Sequence, residues 1–238
     1  LSKRNETVKL KDVNQLKNTS VGEELLGSKT KVLIHYLHSE PFLNFLTSLT
    51  GIKNLLPDPT LNGGGYHQIK SGGFLKIHAD FNKHPKYNLD RRLNLLIYLN
   101  KNWDESYGGS FELWDNEMRN CIKKIPPNFN NVAIFSTTSD SYHGHPNPLK
   151  CPSDRTRKSI ALYYYTNGRP ESEKLKYLEN HTTIFKARKE DDEKKQIEEY
   201  ITNKMKKERQ NQLLSKSINL IKLFLPPIFI QFIKKFKQ

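Results

Sequence analysis

Cysteine is scarce: Cys121 and Cys151 are the two in 238 residues, and no C-x-x-C pair occurs. That excludes a disulfide framework and favours a reducing compartment. Long apolar runs are also missing. The most apolar stretch, Ile218 to Ile233, spans sixteen residues and is broken by Pro226-Pro227, short of the roughly 20 that cross a bilayer. Acidic residues are outnumbered, 25 Asp and Glu against 39 Lys and Arg, for a net charge of +14. The excess is uneven: residues 201–238 hold nine Lys/Arg against Glu208 alone, which is +8 of the total. The other 200 residues carry about +6, too little to make nucleic acid an expected partner. The chain opens on Leu1-Ser2-Lys3-Arg4-Asn5-Glu6, with no apolar run of the kind a secretory signal uses. We therefore expect a cytoplasmic location, with peripheral membrane association through the basic tail.

What is present is enough for a packed core, with 35% apolar and 11% aromatic residues. Residues 1–62 read as helical support: "DVNQLKNTSVGEELLGSK" and "SEPFLNFLTSLTGIKNLL" space their apolar residues at mixed i+3/i+4 intervals. Ser39 sits at a helix N-cap position, with Pro41 just inside. From Gly63 the texture changes. Short apolar runs alternate with Gly, Asn, Asp and Pro clusters: "GFLKIHAD", "LNLLIYLN", "SFELWD", "CIKKI", "NVAIFST" and "SIALYYYT". That pattern predicts a mainly β, jelly-roll core over residues 63–170. Residues 171–238 form a charged helical extension, ending in a basic, aromatic-rich segment suited to an anionic membrane surface or a protein partner.

In "GFLKIHAD" read as a strand, His78 and Asp80 share one face and both reach one metal ion. An imidazole and a carboxylate, joined by a second imidazole, make the facial triad of non-haem iron oxygenases, which leaves coordination positions open. The second imidazole comes from "SYHGHPNP", where His143 follows the run "NVAIF" and His145 is its rival. In "RTRKSIALYYY", Arg157, Ser159, Ala161 and Tyr163 point one way, and Lys158, Ile160, Leu162 and Tyr164 the other. An arginine beside a hydroxyl residue suits a dicarboxylate deep in a barrel.

The ordered set His78-x-Asp80, "YLNKNW" (98–103), "GGSFELW" (108–114), "PPNFNNVAIFST" (126–137), His143-Gly144 and Arg157-x-Ser159 resembles the 2-oxoglutarate/Fe(II)-dependent dioxygenases, and within them the prolyl-4-hydroxylase-like branch. The resemblance implies a double-stranded β-helix that holds Fe(II) and 2-oxoglutarate. It also implies consumption of O2, release of succinate and CO2, hydroxylation of a substrate (peptidyl proline by family analogy), and ascorbate as a reducing cofactor. Carried over position by position, His78, Asp80 and His143 match the iron ligands, and Arg157 matches the anchor of the distal carboxylate. Ser159, Tyr98 and Gln68 match polar positions around the co-substrate. The stretch between His143 and Arg157 is longer than the family pattern, which keeps Arg155 and Lys158 open as anchors.

Several residues carry blander readings. His84 and His145 read as turn residues or substrate-facing groups, Trp103 and Trp114 as packing, and Arg91-Arg92 as a solvated pair, with a place at the mouth reading an acidic substrate as the alternative. Gly63-Gly64-Gly65 lacks the following helix that phosphate binding requires. The competing function is a non-redox, cupin-like metal-binding jelly roll, a sugar epimerase or binding module, in which Arg157-x-Ser159 would have no role.

Overall fold

A computed structural model describes residues 7–12, 15–20, 22–24, 26–174, 180–188 and 191, with side chains for those from residue 22 onward except Lys174. The chain divides into two units, Leu1–Arg188 and Lys189–Gln238. The expected helical extension over 171–238 lies outside the described residues, apart from its first part.

In chain order the elements are β1 (Thr7–Asp12), β2 (Gln15–Ser20), α1 (Ser28–Leu37), α2 (Glu40–Thr50), β3 (Leu56–Pro57), β4 (Gly65–Ile69), β5 (Leu75–Ala79) and β6 (Asp90–Tyr98). Then follow β7 (Phe111–Trp114), β8 (Cys121–Ile125), β9 (Val132–Ser136), β10 (His143–His145), β11 (Arg157–Thr166), α3 (Glu171–Lys174) and β12 (Ile184–Phe185). Every strand pair is antiparallel. Hydrogen bonds run along the order β8-β7-β10-β5-β2-β4-β11-β6-β9. The four strands at one end and the four at the other make the two walls of a jelly roll, and β2 stitches them together.

The fold is mainly β, as the alternating pattern from Gly63 implies. The N-terminal lead is the exception: β1 and β2 pair antiparallel where the apolar spacing suggested helix. Its second strand pairs with β4 and touches β5, so tertiary pairing overrides a weak local periodicity. Downstream, the helical reading holds. Ser39 occupies the N-cap position of α2, but its hydroxyl donates to the Tyr36 carbonyl at 2.6 Å and leaves the first turn uncapped. Gly51, at φ +73°, closes the helix in the left-handed conformation that glycine adopts without cost.

Strand β11 is buried on both faces, and its alternation decides what lies where. Ile160, Leu162 and Tyr164 face outward and join Leu93 and Leu95 of β6, Tyr66 of β4, and Ile34, Leu37 and Leu46 of the helices in the main apolar core. Tyr164 completes this contact by donating its hydroxyl to the Leu37 carbonyl at 2.9 Å. The helix pair thus covers the outer face of one wall and leaves the inner face free for polar residues.

Candidate metal centre and co-substrate cavity

The inner faces enclose a cavity of about 70 Å³, to which strands of both walls contribute. His78 and His143 are directly opposed in the β5–β10 register, and Asp80 follows β5 by one residue. Parity and pairing together bring the three side chains to one point. All are buried, and one ligand atom from each lies within 4.8 Å of the other two. Among the described residues, this is the group of His, Cys, Asp and Glu side chains able to hold a metal ion.

The ring nitrogens are oriented for that purpose. His78 Nδ1 lies 2.8 Å from the Lys76 carbonyl and His143 Nδ1 lies 2.9 Å from the Ser141 carbonyl. Each Nδ1 therefore carries the proton, and each Nε2 presents its lone pair toward Asp80, at 3.5 and 3.3 Å. Burial and the neighbouring His143 pull the His78 imidazole below its usual value, which keeps it neutral and able to ligate. Burial alone would raise Asp80, but the Arg91 guanidinium beside it holds its carboxyl well below the usual range. Two neutral imidazoles and one carboxylate, with no thiolate nearby, fit Fe(II) by the chemistry of the donor set.

Close approach of the strands depends on Gly144. A Cβ there would meet the Leu75 and Lys76 carbonyl oxygens at 2.7 and 2.8 Å, so only glycine lets β10 lie against β5 beside its ligand.

At the other side of the cavity, Arg157 is 4% exposed and donates Nε to the Gly109 carbonyl at 2.7 Å. Its Nη2 lies 3.5 Å from the Tyr98 hydroxyl, and the guanidinium sits 5.0 Å from the centre of the Tyr98 ring. With Nε fixed, the remaining N–H groups face a cavity also lined by Ser159. Burial lowers the Arg157 guanidinium from its usual value, a cost that a bound carboxylate offsets. The open alternatives point elsewhere: half-buried Arg155 donates to the Lys101 carbonyl at 2.5 Å, and Lys158 reaches the Thr156 carbonyl at 3.3 Å on the opposite face of β11.

Gln68 is a correction. It pairs with Lys158 across β4 and β11, and its amide donates to the Thr156 hydroxyl at 3.1 Å, outside the cavity. Its neighbours His67 and Ile69 line the cavity instead, because His67 is the cross-strand partner of inward-facing Ser159. His145 also lines the cavity, although a register shift separates it from His143 and it does not join the ligand group.

Arg91 and Arg92 overturn the reading of a solvated pair, being 0% and 6% exposed. Arg92 binds both oxygens of Glu173, at 2.8 and 3.0 Å, while Arg91 reaches Asp80 at 2.9 Å. The loop between Asp80 and β6 is also tied down. His84 Nδ1 accepts the backbone N–H of Lys86 and of Tyr87, at 3.1 and 3.2 Å, so its proton lies on Nε2, which faces Asp58 Oδ1 at 3.3 Å.

Residues 64–165 match the family model described as the 2OG-Fe(II) oxygenase superfamily. No curated protein matches the sequence. Among solved structures, similarity extends to a prolyl-4-hydroxylase from Pseudomonas putida, 14% identical over 68% of this chain and 77% of that one, with a TM-score of 0.47. It extends also to a Trichoplax adhaerens prolyl hydroxylase in complex with a peptide fragment of the hypoxia inducible factor oxygen degradation domain, 22% identical over 67% and 70%, with a TM-score of 0.46. HygX from Streptomyces hygroscopicus, bound to nickel and 2-oxoglutarate, is 12% identical over 76% and 84%, with a TM-score of 0.45.

Proposed function

We propose, from the match of residues 64–165 to the model of the 2OG-Fe(II) oxygenase superfamily, that this protein is a 2-oxoglutarate-dependent hydroxylase whose iron is held by His78, Asp80 and His143. The observation that carries the reading is one buried cavity lined by both the triad and Arg157 with Ser159. A metal triad alone suits many jelly rolls. A buried arginine facing the same space is the feature that a dicarboxylate co-substrate requires and a cupin-like epimerase does not.

Iron bound there supplies the oxidative chemistry that couples 2-oxoglutarate, O2 and a substrate C–H bond to succinate, CO2 and a C–OH group. The chain supplies position and exclusion. The Lys76 and Ser141 carbonyls accept from the two Nδ1 atoms and so turn each Nε2 toward the shared point. Arg157, held by Gly109, offers a bidentate fork to the distal carboxylate, with Ser159 and Tyr98 as neighbouring hydroxyls. Phe111 and Phe135 pack around His143 at ring distances of 5.5 and 4.6 Å and keep that side of the site dry.

The motif order of the prolyl-4-hydroxylase-like branch makes a peptidyl proline the first substrate class to test, with ascorbate as the reductant that sustains turnover. The basic segment 201–238 is assigned to an anionic membrane surface or a protein partner. The deciding assay incubates purified protein with Fe(II), ascorbate and 2-oxoglutarate and measures succinate. Succinate formation, with the 2-oxoglutarate KM raised at least about 30-fold in Arg157→Ala, supports the reading. No succinate, together with 2-oxoglutarate binding unchanged in Arg157→Ala, refutes it in favour of the non-redox metal protein.

A further inference from the structure

Asp80 is held unevenly. Its Oδ2 accepts a hydrogen bond from Asn94 Nδ2 at 2.6 Å and another from Arg91 Nη2 at 2.9 Å. Those two charge-assisted bonds occupy both lone-pair directions of that oxygen. Its Oδ1 receives neither of those bonds and faces His78 Nε2 at 3.5 Å, while Oδ2, besides its two donors, lies 3.3 Å from His143 Nε2. Arg91 and Asn94 are themselves coupled, because Arg91 Nε donates to Asn94 Oδ1 at 3.0 Å. The guanidinium is further fixed between two rings, 3.5 Å from the Tyr163 centroid and 4.4 Å from that of Phe81.

This arrangement is built into the backbone. Along β6, Asn94 and Leu96 face the cavity, and strict alternation would place Arg92 with them. A β-bulge intervenes: Tyr164 pairs with Leu93, but Tyr165 pairs with Arg91, so Arg92 is the extra residue. The bulge turns Arg91 inward to Asp80 and sends Arg92 to Glu173, re-aiming side chains beside a site as bulges do. Arg169 secures the kink by donating to the Arg91 carbonyl at 2.6 Å.

We propose that Arg91 and Asn94 are positioning residues that saturate Oδ2 of Asp80, so that the carboxylate gives the metal one oxygen only. A carboxylate free to bind through both oxygens would take a coordination position that 2-oxoglutarate and O2 need. The pair enforces the sparing mode through charge and geometry together: the guanidinium neutralises Oδ2, and the amide fixes its direction. This inference rests on the triad holding a metal as proposed above.

The test uses the full chain and Co(II) alone as probe, with affinity from titration and coordination from the visible absorption of the saturated protein. Asn94→Ala is expected to bind Co(II) roughly 10- to 100-fold more weakly, with a changed absorption spectrum. Arg91→Lys, which keeps the charge without the fork, should fall between the native protein and Arg91→Gln. Variants that fold with native near-UV circular dichroism and show native affinity and spectrum would overturn the proposal and leave the pair a structural ion pair. If the Arg91 variants fail to fold, Asn94→Ala decides by itself. Native protein that binds no Co(II) removes the proposed function and this inference together, whereas native binding with unaltered variants removes the inference alone.

Discussion

At the scale of single residues, the site sorts side chains by what they face. His78→Ala and Asp80→Ala are expected to abolish succinate formation while circular dichroism stays native, because each removes a ligand without opening the apolar core. Asp80→Glu should also be inactive: one more methylene moves the carboxylate out of reach of Arg91 and Asn94 as well as off the ligand position. Arg155→Ala and Lys158→Ala serve as controls and should leave the 2-oxoglutarate KM within about 2-fold of native, since each is bonded outside the cavity. Activity in either ligand variant, or a KM that follows Arg155 or Lys158 in place of Arg157, contradicts the assignments.

At the scale of elements, the sequence shows its alternation but not its register. The inward set Arg157, Ser159, Ala161 and Tyr163 is legible because Ile160 and Leu162 mark the other face of the same run. Gln68 was misplaced because its position depends on which residue of β4 meets Ser159, and pairing across the sheet leaves no mark in a single strand. Arg91 escaped for a related reason: a bulge breaks the alternation from which its direction would be counted. The strand β10 leaves no mark because two histidines and a glycine make it up, and β4 leaves little because Gly65, His67 and Gln68 dilute Tyr66 and Ile69. Gly144 provides the test at this scale. Gly144→Ala should push β10 from β5 and separate the two histidines, lowering Tm by the equivalent of roughly 1–3 kcal/mol and weakening Co(II) binding. A variant of native stability and affinity would show that the close approach is not needed. His84→Ala, which releases the Lys86 and Tyr87 amides, should raise hydrogen exchange in the loop between Asp80 and β6 without altering exchange in the main core.

At the scale of the whole molecule, charge and chemistry are separated along the chain. The candidate site lies within Leu1–Arg188, while +8 of the +14 charge belongs to residues 201–238. Among the described residues, no helix is long and apolar enough to cross a membrane. Deleting residues 201–238 should therefore leave uncoupled succinate formation within about 2-fold of native and abolish pelleting with anionic vesicles. Loss of turnover on that deletion would give the tail a part in the site itself. The tail's composition was legible as a sequence, because net charge needs no register.

The opposition of His78 and His143 in neighbouring strands also bears on how the protein reaches its native state. The two ligands are far apart in sequence, so they meet after a long stretch of chain has been closed, a step that costs entropy before it returns contact energy. A metal ion captured by that pair binds the paired register and not its slipped alternatives, since a shift of one residue would send one imidazole through to the opposite side of the sheet. The ion thereby stabilises the native state by mass action, in proportion to the logarithm of its concentration over its dissociation constant. The candidate metal centre is in this sense a late checkpoint of folding, and chelation should speed global unfolding as well as stop the proposed turnover.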